Sequence, residues 1–320
     1  MKQLAKKIIL GLGILAVGNF AAFSAAAGEF PDKPVRVIIA WSAGGGVDAT
    51  TRAVSAVAYD HFGQPMIVQV RSGGSGVVGT EAAANAKPDG YTLFMGETTS
   101  MSILPYAQDV PYSLDSFIPL GQLTALPLVI TVPADSPWKT FGDFVKAGKA
   151  NPGKYKYAAV NFASEHFMFA GLESEQGAKF SHFPVDGGGP MLVALLGGNV
   201  DTAGLYPPVV APHLKDGKLR ALGVAADERW HALPDVPTLK EQGYDVTGGF
   251  WVAAFALKGT PQPVLTKLKS SLKSLVGDKS FTKLMSRMGS AVVYKDADTF
   301  KKDWVKEQKS FADLIKKLAK

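Results

Sequence analysis

Val35-Arg36-Val37-Ile38-Ile39-Ala40-Trp41-Ser42-Ala43-Gly44-Gly45-Gly46-Val47-Asp48 is the stretch that decides the fold of this chain. Its first six residues form a largely β-branched run behind Pro34, which predicts a short buried strand. The glycine triplet ends that strand. From Asp48 onward, Ala49, Ala53, Val54, Val57 and Ala58 recur at the spacing of one helical face. Met66 to Val70 reads as the next strand, Gly73-Gly74-Ser75-Gly76 as a loop, and Val77 to Ala86 as a helix stopped by Pro88-Asp89-Gly90. Tyr91 to Met95 is a third strand. Strands alternating with helices at this spacing are the pattern of a parallel α/β sheet.

The pattern then repeats. Strands are expected at Leu128–Val132, Tyr155–Val160, Phe180–Val185, Thr202–Leu205 and Leu219–Ala225. Helices are expected at Thr140–Lys149, Ser164–Gln176, Pro190–Leu196 and Pro208–Lys215. After Pro234 and Pro237 come a strand from Thr247 to Leu257 and two terminal helices, Pro263–Val276 and Asp298–Leu318. The stripe Phe300, Trp304, Val305, Phe311, Leu314, Ile315, Leu318 on the last helix is expected to pack on a sheet. Two α/β units result. The chain can pass between them near Leu126-Pro127 and again between Asp227 and Pro237. The division is therefore residues 28–125 with 227–320 as one domain and residues 126–226 as a second, inserted domain, with a hinged cleft between.

The amino terminus sets the compartment. Lys2, Lys6 and Lys7 precede an apolar run from Ile8 to Phe23, and Ser24-Ala25-Ala26-Ala27 supplies small residues before Gly28. This is the layout of a signal peptide cleaved near Ala27. The run is short and glycine-rich for a membrane anchor. There is no cysteine, hence neither a disulfide nor the acylation site of a lipoprotein. A soluble, untethered export product suits the periplasm. The formal charge is +6. The three leader lysines account for half of it and no acid precedes Ala27, which leaves +3 on the exported chain. The positive residues are scattered, which argues against nucleic acid as a partner. A monomer is expected.

Ligands of parallel α/β sheets bind beyond the carboxyl ends of the strands, where loops lead into helix N-termini. Four loops qualify. In the first, Trp41 to Asp48, the glycines let the backbone approach a ligand, Ser42 offers a hydroxyl, Trp41 a flat wall, and Asp48 is placed to cap the helix. No Gly-Lys-Ser/Thr follows, so it is no Walker loop, and the dinucleotide pattern fails at Ala49. In the second, Val160-Asn161-Phe162-Ala163-Ser164-Glu165-His166, Asn161 or Ser164 can cap the following helix or donate to a carboxylate. The third is Glu97-Thr98-Thr99-Ser100, whose hydroxyls either line the cleft or form a turn. The fourth, Gly187-Gly188-Gly189-Pro190, feeds a helix and can turn its amides to the cleft. Catalytic and metal patterns are missing. None of His61, His166, His182, His213 and His231 has a metal-ligand spacing, and there is no G-x-S-x-G elbow. No cofactor is implied.

At these loops the chain resembles the Bug family, the periplasmic solute-binding proteins of tripartite tricarboxylate transporters. The resemblance rests on Phe30-Pro31-Asp32-Lys33-Pro34-Val35-Arg36, the Gly44-Gly45-Gly46-Val47-Asp48 loop and Lys87-Pro88-Asp89-Gly90-Tyr91-Thr92-Leu93. It extends to Leu195-Leu196-Gly197-Gly198-Asn199-Val200-Asp201, Gly217-Lys218-Leu219-Arg220-Ala221-Leu222, Leu233-Pro234-Asp235-Val236-Pro237-Thr238 and Gly259-Thr260-Pro261. It implies a two-lobed periplasmic binding protein fold, type II-like, closing on a small carboxylate that is handed to integral membrane carrier subunits. It also implies a pocket made by Trp41, Ser42, Ala43, Gly44, Gly45 and Asp48 from one lobe and by Asn161, Phe162, Ala163, Ser164, Glu165 and His166 from the other. Thr98 and Thr99 match a further lining segment.

The chain departs from the family where the family usually has two prolines before the glycines: here they are Ser42-Ala43, after Trp41 in place of Phe. Glu165 stands where Pro is common, and Leu205-Tyr206 where many members carry Asp-Asn. An ammonium facing Leu205 would lose its counter-charge. The expected ligand is thus a carboxylate without an amine, with an aromatic or extended body against Trp41, Phe162, Leu205 and Tyr206. A Glu165 that faced the cleft would instead repel a dianion. The alternative readings are a periplasmic sensor signalling to a membrane kinase and, further off, a hydrolase.

Overall fold

The computed structural model describes residues 30–246 and 248–318, so the expected signal peptide lies outside the described residues. In chain order the elements are β1 Val35–Ile39, α1 Gly46–Phe62, β2 Met66–Val70, α2 Val77–Ala84 and β3 Thr92–Glu97. A π-turn over Thr99–Ile103 then runs into α3 Leu104–Ala107. They continue with β4 Phe117–Pro133, α4 Phe141–Ala150, β5 Lys156–Ala159, α5 Ser164–Gln176, β6 Ser181–Pro184, α6 Gly188–Leu196, β7 Thr202–Leu205, α7 Pro207–Lys215 and β8 Leu219–Ala225. The last are β9 Gly249–Leu257, α8 Gln262–Val276, α9 Lys279–Arg287, β10 Lys295–Asp296 and α10 Ala297–Leu318. No helix among the described residues is long and apolar enough to cross a membrane.

The strands lie in the order β2-β1-β3-β9-β4-β7-β5-β6, with β8 and β10 also paired to β4. Both ends of this array are parallel: β1 with β2 and β3, and β5 with β6 and β7. The middle is antiparallel, because β9 lies against β3 and β4, and β4 against β7 and β8. The sheet is therefore mixed, not wholly parallel as the alternation of elements suggests. The parallel expectation holds wherever a helix crosses over, and fails where β4 and β9 tie the two halves together.

Strand β4 is the structural link. Its residues Phe117–Pro127 pair with β9 in the first half, and Leu128–Pro133 pair with β8 in the second. The chain leaves the second half after Ala225 and re-enters the first at Gly249. Only the segment after Pro127 reads as a strand in the sequence, because Pro119 and Gly121 interrupt the earlier part. The ladder absorbs both through register shifts between Pro119 and Gly121 and between Gln122 and Thr124.

Each half has its own aromatic centre. Phe94, Phe117 and Phe255 cluster in the first, joined by Trp304 of α10. In the second, Phe144 stacks on Phe180 at 4.3 Å between centroids, with Trp138 and Phe169 edge-on. Two sequence expectations are corrected here. Helix α9 is not expected from the sequence: its apolar residues are few, and its start is set by the Asp278 carboxylate, which accepts from the amides of Ser280 and Phe281. The stripe of α10 packs only in its first half. Phe300 and Trp304 are buried, whereas Val305 and Leu314 are exposed, and Phe311 instead approaches Phe167 of α5 in the other half.

The first loop is positioned by a close contact between α2 and β1. A Cβ added at Gly79 would lie 2.5 Å from both Ala40 Cα and the Arg71 carbonyl oxygen. These are backbone atoms and cannot rotate away. Alanine gains about 1 kcal/mol of helix propensity over glycine, while overpacking costs about 1–3 kcal/mol. Gly79→Ala is therefore expected to be net destabilising, seen as a lower urea midpoint with an unchanged slope.

Candidate functional site

The β1–α1 loop, the end of β3 and the start of β9 face the β5–α5 loop and the starts of α6 and α7 across the junction of the two halves. Between them lies a cavity of about 40 Å³, room for a few water molecules. The first half contributes Trp41, Gly45, Gly46, Val47, Glu97, Thr99 and Phe250. The second contributes Val160, Ala163, Glu165, Gly187, Gly188 and Tyr206. Three helices, α1, α5 and α6, begin at this cavity, so their first amides, which have no partner within a helix, and their positive dipole ends converge on it.

Glycine makes that convergence possible. The Ser42 Oγ–H donates to the Asp186 carbonyl at 2.6 Å, tying the two halves together. A Cβ at Gly45 would meet the Gly188 amide nitrogen at 3.6 Å, and one at Gly189 would come within 2.6 Å of the Ala43 carbonyl oxygen. Gly187 adopts φ +116°, a conformation closed to other residues. Main chain thus meets main chain across the cleft.

Two carboxyl groups line the cavity, one from each half. Glu165, only 2% exposed, accepts from the Val160 amide at 3.2 Å and from the Tyr206 hydroxyl at 2.9 Å; Ser164 Oγ lies 3.2 Å from the same hydroxyl. Burial raises the affinity of Glu165 for its proton, although these donors oppose it. Burial, and then the negative charge of Glu165, hold the Tyr206 phenol well above its ordinary range. Glu97, 4% exposed, accepts from the amides of Thr99 at 2.6 Å and Ser100 at 2.8 Å. Burial outweighs those bonds and pushes Glu97 up to about 7. Among the described residues, no Lys, Arg or His lines the cavity.

The residues singled out in the sequence divide into those the structure gathers at the cavity and those it places elsewhere. Trp41, Gly45, Thr99, Ala163, Glu165 and Tyr206 line it. Ser42 and Ala43 form the contact between halves, and Ser164 supports Tyr206 from behind. Asp48 is buried away from the cavity in the first turn of α1, whose N-cap is Gly45. Its carboxylate accepts from the Gly44 amide at 2.9 Å and from Arg52 Nε at 2.8 Å, so it holds the loop's shape. Thr98 Oγ1 accepts from the Trp251 amide at 3.2 Å and does not line this cavity. Asn161 is exposed. Neither Asn161 nor Ser164 caps α5, whose N-cap is Ala163 with no side-chain bond.

Phe162 sits at φ +62°, and its amide donates to His166 Nδ1 at 3.1 Å. His166 stacks on His182 at 4.3 Å, and burial, followed by the charge of His182, lowers it to about 4. It is a neutral ring that fixes the loop. Leu205 is fully buried in β7 and does not line the cavity.

The cavity residues outside that selection are Gly46, Val47, Glu97, Val160, Gly187, Gly188 and Phe250. Most lie in the four glycine- or hydroxyl-bearing loops, which was the available signal. Phe250 had none: it is a strand residue brought in from far along the chain, with its ring against Tyr206 at 4.2 Å.

A mixed α/β array in two halves, with loops and helix N-termini of both meeting at one cavity, defines a two-lobed periplasmic binding protein. The chain belongs to the tripartite tricarboxylate transporter family receptors, whose family model matches residues 50–319. The UPF0065 protein in the gbd 5′ region of Cupriavidus necator is 31% identical over 298 residues, covering 91% of this chain and 90% of that protein. The structure of the periplasmic binding protein BugD is similar with a TM-score of 0.84 at 28% identity, over 90% of this chain and 98% of that one. MatC from Rhodopseudomonas palustris, solved with bound malate, gives 0.82 at 26% identity over 89% of this chain and 100% of that one.

The elevated Glu97 has a consequence for stability. Its folded-state proton affinity, near 7, exceeds the ordinary 4.5, so the folded form holds the proton more tightly than the unfolded one. The groups facing it are the Thr99 and Ser100 amides, Tyr112 and Tyr206, with Glu165 across the cavity. Its contribution is complete below about pH 4.5 and lost as pH rises through 7, by up to about 3 kcal/mol. Urea unfolding between pH 4.5 and 8 should show Glu97→Gln losing less stability over this interval than the parent chain. Parallel curves would contradict the assignment.

Proposed function

We propose that this chain is an exported receptor, cleaved near Ala27, that captures a small carboxylate between its lobes and delivers it as a monomer to integral membrane carrier subunits. The observation that carries this reading is the meeting of three helix N-termini from two lobes at one cavity. A carboxylate there receives main-chain hydrogen bonds from both sides and so favours the shut arrangement over the open one. MatC, a relative by fold and sequence, is described with malate, itself a small carboxylate.

The lobes in this reading are residues 28–125 with 227–320, and residues 126–226. They turn about β4 near Pro127 and about the chain between β8 and β9, a hinge of two crossings. The cavity of about 40 Å³ is too small for a dicarboxylic acid as it stands, so entry requires the lobes to part. Trp41, Tyr206 and Phe250 provide apolar walls that suit an extended or aromatic body.

The expectation of an amine-free ligand loses one of its supports. It rested on Leu205, which stands outside the cavity, whereas Glu97 and Glu165 line it. A hydrolytic role finds no support at Ser164, whose hydroxyl is held by Tyr206 and Glu165 and not by a histidine.

Calorimetric titration of the exported chain with malate, adipate, benzoate and amino acids tests the reading. At least one acid is expected to bind with micromolar affinity, and deletion of the gene is expected to abolish its uptake. No binding by any member would overturn the proposal. Gly189→Val is expected to hold the lobes apart, because its side chain would meet the Ala43 carbonyl. The predicted signature is a larger radius of gyration in the presence of ligand and an affinity at least about tenfold weaker, or ~1.4 kcal/mol.

A further inference from the structure

Beside the cavity lies a second compartment, a groove of about 1080 Å³ at the hinge that both lobes line. Its walls include Phe167 and Met168 of α5, Trp251 of β9 and Phe311 of α10, so much of it is apolar. A space of this size takes an organic molecule, whereas the cavity takes a few waters. The partition between the two decides how much room a ligand has.

That partition is one residue thick. Phe250 alone among the described residues borders both compartments. Around it the chain alternates. Glu97 and Thr99 line the cavity while Thr98 lines the groove, and Ala163 and Glu165 line the cavity while Ser164 lines the groove. The wall is tied in place. Thr98 Oγ1 accepts from the Trp251 amide at 3.2 Å, Ser164 Oγ lies 3.2 Å from the Tyr206 hydroxyl, and Phe250 sits opposite Leu126 in the ladder of β4 and β9. The Phe250 ring is 6% exposed and stands edge-on to Tyr206 at 4.2 Å between centroids. It also reaches the first residue of α1, where a Cβ on Gly46 would lie 2.9 Å from its Cζ. Gly46 and Phe250 belong to the same lobe, so the ring keeps its place when Tyr206 moves off with the other.

We infer that Phe250 sets the length of acid the receptor accepts: its ring shuts the carboxylate cavity off from the hinge groove, and in its absence an alkyl chain passes from one compartment into the other. This rests on the receptor reading above and adds what limits its ligand. With the ring in place, a long acid drives its chain into a buried side chain whose backbone is fixed in a sheet. Either the lobes stay apart or the core is overpacked, and both are unfavourable. Without the ring, each further methylene leaves water against Phe167, Met168 and Phe311, so burial favours the longer acid.

Calorimetric titration of the exported chain with three series tests this. They are butyrate, hexanoate, octanoate and decanoate; succinate, adipate, suberate and sebacate; and benzoate with its 4-butyl and 4-hexyl derivatives. In the parent chain, affinity is expected to fall at least tenfold from the best member of a series to the longest. In Phe250→Ala, the affinity of the longest member relative to that best one is expected to rise at least tenfold. A general loss of stability would weaken every length alike and leave this ratio unmoved. Gly171 of α5 also lines the groove, and a Cβ there would meet nothing within 4 Å outside its own helix. A tryptophan at that position leans back along the helix toward Phe167. Adding Gly171→Trp to Phe250→Ala is therefore expected to cancel the gain for the long acids.

A parent chain that binds the longest acids as tightly as the short ones overturns the inference and leaves the receptor reading intact. So does an unchanged ratio in Phe250→Ala, or a gain that survives Gly171→Trp. Should circular dichroism show that Phe250→Ala does not fold, Phe250→Leu, which keeps an apolar side chain in the sheet, takes its place with an expected rise of at least threefold. Failure of all three series to bind the parent chain overturns the inference, and failure of the earlier panel as well overturns the receptor reading.

Discussion

The structure depends on one close approach: the turn Ala43–Gly46 of one lobe against Gly187–Gly189 of the other. Main-chain atoms come within contact distance there because no side chain intervenes. Two of the three helix N-termini at the cavity, those of α1 and α6, open from these turns, and the third starts beside them. A single methyl group at Gly189 would separate the turns. The cavity and the convergence of amides would go with it. Glycine here is a condition for two dipoles to point at the same volume, and the flexibility it adds to the unfolded chain is the energetic cost of that arrangement.

Burial has its own effect on the acids at the cavity. Amide donors at 2.6 and 2.8 Å would ordinarily hold a carboxyl such as Glu97 in its ionised form, yet burial prevails. Desolvation exceeds the hydrogen bonds because the group is almost wholly buried, and no Lys, Arg or His among the described residues lines the cavity to compensate. The site thus combines partial positive charge from helix ends with two acids of raised proton affinity.

Much of this was legible in the sequence. The run Val35–Asp48, the three-strand rhythm up to Met95 and its repetition after Leu128 gave the α/β class and the two units, because strand and helix periods are local properties. Glycine and hydroxyl loops after strands pointed to the cleft, since such loops are also locally encoded. The earlier part of β4 was hidden by Pro119 and Gly121, which its bulges tolerate only because β9 is alongside. The stripe on α10 looks like one surface in the sequence, although only Phe300 and Trp304 are buried and Phe311 finds the other lobe.

The sequence by itself determined which residues form strands and helices, and that glycine turns precede several of the helices, because these follow from side-chain period and backbone freedom. Only the tertiary structure decided which of those turns face each other, that Leu205, His166 and Asp48 support the site from outside it, and that Glu97, Glu165 and Phe250 meet in one cavity. The reason is that burial and proximity across lobes are set by packing among residues far apart in the chain. The proton affinity of a carboxyl group depends on that packing more than on its neighbours in sequence.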